Sequence, residues 1–326
     1  MHQTSRVRRG LTVLIALASV SLSAGAQQVA DLEFAPLISR PAYPTASGPL
    51  LCVDEAHHNF HTIAGRFAPF AALARRDGYR VSPLRAVFTA SALRDCDLLV
   101  IANAQSGNRP WDEYPRPTPS AFSVNEIAAV REWVVQGGAL LLLADHMPLA
   151  GAAAALGAAF GAQFTDGFAY DSAAGWLRNR EQIAALAEVT LFTSEAGTLG
   201  AHAITRGRRD DAPITQVRSF TGQAFRWEAE GVVPLMILPA NYVSLEPEVA
   251  WQFTPSTPVR RVGGWLQGAA QRVGAGRVVL LGEAAMLSAQ RAGRERLPMG
   301  MNAPGAEQNA QFALNILHWL SELLDS

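Results

Sequence analysis

The 326-residue chain contains no lysine, so all 27 of its basic residues are arginines. That excludes a Walker-type phosphate loop, the lysine Schiff base on which pyridoxal phosphate depends, and a serine–lysine dyad. No nucleotide cofactor is expected. Cysteine is nearly absent too, with only Cys52 and Cys96. No G-x-S-x-G or G-x-C-x-G elbow is present, and Ser106 and Ser288 stand isolated, so covalent catalysis has no recognisable nucleophile. Beyond the amino terminus there is no basic run of five or more residues. Leaving out Arg6, Arg8 and Arg9 takes the formal charge from −1 to −4, which argues against nucleic acid or an anionic membrane surface as the main partner. No later segment has the apolar length of a membrane helix, so no integral membrane segment is expected after residue 26.

What the chain does have begins with a secretory pattern. Arg6, Arg8 and Arg9 precede a mostly apolar run, Leu11 to Ser23, and Ala24-Gly25-Ala26 supplies a small-x-small cleavage site before Gln27. This order predicts a signal peptide over residues 1–26 and a periplasmic or secreted protein, with Arg8-Arg9 leaving twin-arginine export open. Residues 27–47 lack periodicity and read as an arm or linker. The remaining 48–326, in a chain that is 49% hydrophobic, suffice for one large domain. An oxidising compartment permits a disulfide. However, Cys52 near the end of one strand and Cys96 before the next would lie roughly 15 Å apart in a parallel sheet, at about 3.3 Å per residue. Two free thiols are therefore expected.

Along the domain, strands are predicted at Pro49–Val53, Tyr79–Leu84, Leu98–Ala102 and Ala139–Ala144, the last fully apolar as a central parallel strand should be. Ile63, Phe67, Phe70 and Leu73 mark a helix with Pro69 near its start and Gly78 at its stop. Ser123-Val-Asn-Glu126 is a capping box opening a second helix, which Gly137-Gly138 ends. Leu149 to Phe160 reads as an alanine-rich helix. Residues 161–257 parse poorly, although Val233 to Leu238 and Ile214 to Phe225 suggest strands. Val262 to Gln271 and Arg277 to Leu281 suggest a hairpin. Phe312, Ile316, Trp319 and Leu323 mark a closing helix. This alternation predicts an α/β, doubly wound, mostly parallel sheet of the flavodoxin-like kind, with a C-terminal hairpin and closing helix. In such sheets ligands sit outside the carboxyl ends of the strands.

Polar residues gather at those ends. Asp54 to His61 follow the first strand, Asn103 and Gln105 the third, Asp145 and His146 the central one, and Glu283 the strand Arg277–Leu281. Four of the six histidines after residue 26 fall in this set. Such donors suit a divalent cation or general acid–base work. If the chain turns helical after Asp54, then His57 and His61 share a face and, with Asp54, can hold a metal. The plainer reading is a polar cluster without metal, with His58 and His61 as solvated or capping loop residues. Asp145, His146 and Glu283 are the candidate catalytic groups, although Asp145 and Glu283 can equally cap helix starts. Gln105 to Ala121 contains four prolines and no periodicity, and is read as a loop over the site. Its Trp111 and Tyr114 either stack on a substrate or pin the loop.

The run Glu132-Trp-Val-Val-Gln-Gly-Gly-Ala-Leu-Leu-Leu-Leu-Ala-Asp-His146 resembles the helix, Gly-Gly, apolar strand, His core of the class I glutamine amidotransferase-like superfamily, especially its trehalose-utilisation-like branch. His202-Ala-Ile-Thr-Arg-Gly207 is similar to a turn recurring there. Gly276-Arg-Val-Val-Leu-Leu-Gly-Glu283 with Asn309 resembles the end of an uncharacterised bacterial family in the same superfamily. The resemblance implies the fold, the location of the site and a substrate-side role for Asn309 alongside Asn103, Gln105, Trp111 and Tyr114. It does not imply glutaminase activity, because Ala144-Asp145-His146 stands where the nucleophilic cysteine belongs. Two functions stay open: an exported, metal-assisted hydrolase of a carbohydrate or other small envelope-accessible molecule, and a non-catalytic ligand-binding or scaffolding module with a degenerate site.

Overall fold

The computed structural model describes residues 28–173, 189–208 and 212–324; the expected signal peptide lies outside them. The chain enters through β1 (Val29–Ala30), which pairs with β16 (Ala289–Ala292), itself paired with β17 (Leu297–Gly300). Phe34, Ile38 and Tyr43 then lie against the main core.

Five strands form a parallel array in the order β3 (Arg80–Leu84), β2 (Leu50–Asp54), β4 (Leu98–Ala102), β5 (Ala139–Leu143) and β15 (Gly276–Leu281). Apolar residues at every position of β4 and β5 bury both faces, as a central parallel strand demands. Alternate side chains feed two cores. Leu51, Val53, Val100, Leu141 and Leu143 meet α1 (Ala68–Arg76) and α6 (Asn309–Leu320). Cys52, Leu99, Ile101, Leu140 and Leu142 meet α2 (Ala90–Leu93), α3 (Val124–Val135) and α4 (Leu149–Ala159). α3 opens on the expected Ser123–Glu126 capping box.

The expected doubly wound parallel sheet is nevertheless overturned. Among the described residues, 17 strands form four sheets, one mixed and three antiparallel. Past β15 the central sheet continues antiparallel through β14 (Leu266–Val273), β10 (Phe225–Trp227) and β6 (Ala162–Phe164), and β11 (Val233–Ile237) also joins β14. β7 (Phe168–Asp171), β12 (Tyr242–Leu245) and β13 (Val259–Arg261) form one antiparallel sheet, and β8 (Val189–Thr193) with β9 (Gln216–Phe220) another. The cause lies in the connections. A parallel pair needs a long crossover, usually helical. Among the described residues after α4, the only helix before α6 longer than a 3₁₀ turn is the four-residue α5 (Ala203–Arg206), so the intervening strands pair antiparallel.

The two free thiols are overturned as well, because Cys52 and Cys96 form a disulfide with Cα atoms 5.7 Å apart. The 15 Å expectation placed Cys96 in line with its strand. Instead the Cys96 N–H bonds back to Leu93 O in the turn after α2. Both cysteines join the α2–α3 core, on the sheet face toward which Cys52 points.

Candidate functional site

The carboxyl ends of β2, β4, β5 and β15 share one edge, and their registers align the polar residues that follow. Leu143 faces Leu281 across β5 and β15, so Asp145 and Glu283 leave neighbouring strands at equivalent positions, about 4.8 Å apart in strand spacing. Both carboxyls are buried. Burial and then the charge of Asp145 push Glu283 well above the usual carboxylate range. Burial raises Asp145 too, against the opposing pull of His146 and of bonds from the His146 N–H, Asn103 and the Ala284 N–H. The pair thus favours holding a proton on Glu283. Glu283 also accepts the N–H groups of Ala285 and Met286 at the 3₁₀ turn Ala285–Leu287.

His146 is the one member that presents an open face. Its Nδ1 lies 3.0 Å from Met147 O and must carry the proton to donate there. Nε2 makes no hydrogen bond among the described residues and lies 3.7 Å from Asp145 Oδ1. The ring stacks on Phe168 at 4.7 Å and meets the Trp251 edge at 4.8 Å. Trp251, at φ +64°, touches Trp111 at 5.3 Å, and Trp111 touches Phe60 at 6.2 Å. Trp111 of the loop thus reaches the His146 ring through Trp251. Tyr114 instead is buried and donates its hydroxyl to Gly107 O, pinning the loop. Arg116 ties the loop to the carbonyls of Thr165, Asp166 and Pro247.

Asp54, His57 and His61 do not assemble as a metal site. Residues 55–62 are not helical, so the i,i+4 argument fails, and the two imidazoles lie among different partners. His57 packs against the stacked Phe88–Phe122 pair with Nδ1 2.8 Å from Asp54 Oδ1 and Nε2 2.8 Å from Glu126 Oε1. Both its nitrogens face carboxylates, which leaves no lone pair for a metal. His61 faces Phe60 and Phe67 instead. Among the described residues no group of three His, Cys, Asp or Glu side chains is arranged to hold a metal ion. Burial opposes a charged His57, but the bonds and charges of Asp54 and Glu126 outweigh it and raise its pKa. Burial likewise works against ionised Glu126, yet the Ser123 N–H and hydroxyl, His57 and the Phe88 N–H hold it down to about 2.

Asn103, at φ +52°, links the loop after β2 to the end of β5: Oδ1 accepts the Asp145 N–H at 3.0 Å and Nδ2 donates to His61 Nδ1 at 3.1 Å. Gln105 clamps the carbonyls of His57 and His58. Asn309 is wholly buried and spends its amide on Arg218 and Met286, so it braces the turn beneath Glu283 rather than lining the opening. Four participants escaped the sequence reading. Glu126 was legible only as a cap, although it also holds His57. Phe168 and Trp251 fall in the stretch without periodicity. Gln223 is wholly buried and donates to Ala144 O.

No family model and no curated relative matches the chain. Among solved structures, it is similar to the mmIFT52 N-terminal domain, with TM-score 0.51 and 12% identity over 83% of this chain and 97% of that one. It is also similar to a putative ThuA-like protein from Bacteroides uniformis (TM-score 0.42, 12% identity, 88% and 94% covered). A putative GMP synthase protein from Thermoplasma acidophilum follows (TM-score 0.39, 8% identity, 84% and 95%). The first shows a shared fold alone. The other two, with TM-scores below 0.5, decide neither fold family nor chemistry.

Proposed function

We propose that this protein is an exported hydrolase acting on a carbohydrate or another small envelope-accessible molecule, with His146 as general base. One observation carries the reading: the Met147 carbonyl accepts from His146 Nδ1 while Nε2 lies 3.7 Å from Asp145 of a buried carboxyl pair and the ring packs on Phe168 and Trp251. A base oriented by a third group beside a proton-holding carboxyl is the minimum equipment for activating water and protonating a leaving group. His146 takes the proton from water, Asp145 stabilises the imidazolium that forms, and Glu283 holds the proton reserve behind it. No step runs through a metal, because the Asp54, His57 and His61 set does not fit one.

Export is supported by the Cys52–Cys96 disulfide, which persists in oxidising compartments, together with the basic, apolar and small-residue order of residues 1–26. Amino-terminal sequencing of material recovered outside the cytoplasm should start near Gln27, and recovery of Met1 would contradict it.

The test of the reaction is a panel of chromogenic glycosides and esters assayed with wild type and His146→Ala. Turnover should fall about 10²- to 10⁴-fold in the variant. Turnover indistinguishable between the two proteins would remove His146 from the chemistry. One observation favours the second reading, a non-catalytic ligand-binding module: Asp145 and Glu283 commit oxygens to backbone N–H groups. Saturable sugar binding without turnover would establish that reading instead.

A further inference from the structure

His61 and Arg66 both contact the Phe60 ring. The Arg66 guanidinium sits 3.8 Å from the Phe60 centroid and the His61 ring 5.7 Å from it, and the Arg66 charge acts directly on the imidazole. Asn103 Nδ2 can only donate, so His61 Nδ1 accepts and the His61 proton sits on Nε2. That Nε2–H is buried and has no acceptor. The Arg66 Nε–H is also buried and without an acceptor. Among the described residues only Nη1 of the guanidinium donates, to Phe60 O at 3.3 Å. No carboxylate of the described residues pairs with the group, and Glu55 in the same segment is taken by Arg85 at 3.0 Å. Two buried donors without an acceptor, one of them cationic and both on residues that touch Phe60, form an arrangement that folding alone penalises.

We propose that His61 and Arg66 form an oxyanion subsite that holds a carboxylate or phosphate group of the ligand, with Phe60 and Trp111 as its apolar wall. A guanidinium fork matches either anion in two-point geometry, and an imidazole N–H adds a directed third donor. The substrate class is thereby narrowed to acidic small molecules, such as sugar acids or sugar phosphates. The subsite rests on reading this strand edge as a ligand site. It does not require that site to be catalytic.

The experiment is a thermal-shift and calorimetric titration of the full protein with glucuronate, glucose and inorganic phosphate at constant ionic strength. Glucuronate or phosphate at about a hundred times its Kd should raise Tm by about 4 °C, whereas glucose should not. A shift with glucuronate alone identifies a carboxylate ligand, and a shift with phosphate identifies a phosphoryl one. Arg66→Gln should abolish the shift while leaving the Tm of the free protein unchanged or higher, since it removes an unneutralised charge. Arg66→Lys should bind more weakly than wild type, because it keeps the charge but loses the fork. No shift with either anion, an equal shift in Arg66→Gln, or a marked fall in that variant's own Tm would overturn the subsite. Anion binding without hydrolysis would sink only the hydrolase reading, and hydrolysis of neutral compounds without anion binding would sink only this one.

Discussion

The edge of the sheet carries two histidine–carboxylate centres built from the same residue types, yet they are opposites. At the end of β2, His57 has a carboxylate on each nitrogen and packs against a stacked phenylalanine pair, so it is closed. At the end of β5, His146 has a carbonyl on one nitrogen and no hydrogen-bond partner among the described residues on the other, so it is open. Composition cannot separate the two. The difference lies in whether a second carboxylate reaches the far nitrogen, and Glu126 does so only because α3 starts where its first turn meets the loop after β2. A closed imidazole stabilises the fold, whereas an open one is free to act.

Mutations can break that contrast, and the largest effect is expected at the closed centre. Asp54 is wholly buried, and it accepts from His57, the Ala56 N–H and Asn59. Asp54→Ala strands those donors and should cost about 3–5 kcal/mol in urea unfolding, as loss of one partner of a buried pair does. His146→Ala should cost only about 1 kcal/mol, the worth of its aromatic contacts. Equal losses at the two positions would mean that both histidines are structural.

The disulfide offers the next largest effect. It ties β2, which carries the closed centre, to the segment entering β4, which carries Asn103. Cys52→Ser with Cys96→Ser should cost about 2–4 kcal/mol for a closed loop of this length. Alkylation of the denatured, unreduced protein should find no free thiol. Two modified thiols would contradict the pairing.

Much of the parallel half was legible because its signals are local. Leu98–Ala102, the Ser123–Glu126 box and Ala139–Leu143 each announce themselves within a dozen residues, and Gly78 stops α1 at φ +97° as expected. The antiparallel half was legible only in part: the expected hairpin is β14–β15 and Val233 to Leu238 holds β11, but β6, β7, β8, β10, β12 and β13 are short and their partners lie far along the chain. Asp145, His146 and Glu283 could be placed together from topology, since β15 pairs antiparallel with β14 yet parallel with β5. The metal set failed on an assumed helical turn after Asp54. The thiols failed because the chain entering β4 bends back over the sheet instead of continuing its line.

The smallest effect, and the sharpest, is a pH dependence of opposite sign at two histidines four residues apart. His57 is raised above 6.5 in the folded state by Asp54 and Glu126 against the pull of burial. Its contribution is fully present below pH 6.5 and is lost as pH rises through the folded value. His61 is lowered to about 3 by burial and then by Arg66. Below pH 6.5 the unfolded chain gains a proton that folded His61 refuses, so stability is lost as pH falls from 6.5 toward 3 and is complete above 6.5. His57→Gln should therefore destabilise more at pH 5 than at pH 9, and His61→Gln should destabilise less at pH 5 than at pH 9. His202, lowered to about 4 by burial and neighbouring arginines, remains in every variant and cancels from the comparison. Urea unfolding at the two pH values provides the measurement. A His57→Gln penalty that grows with pH would mean that the imidazole between Asp54 and Glu126 is neutral and that the closed centre is not an ion triad.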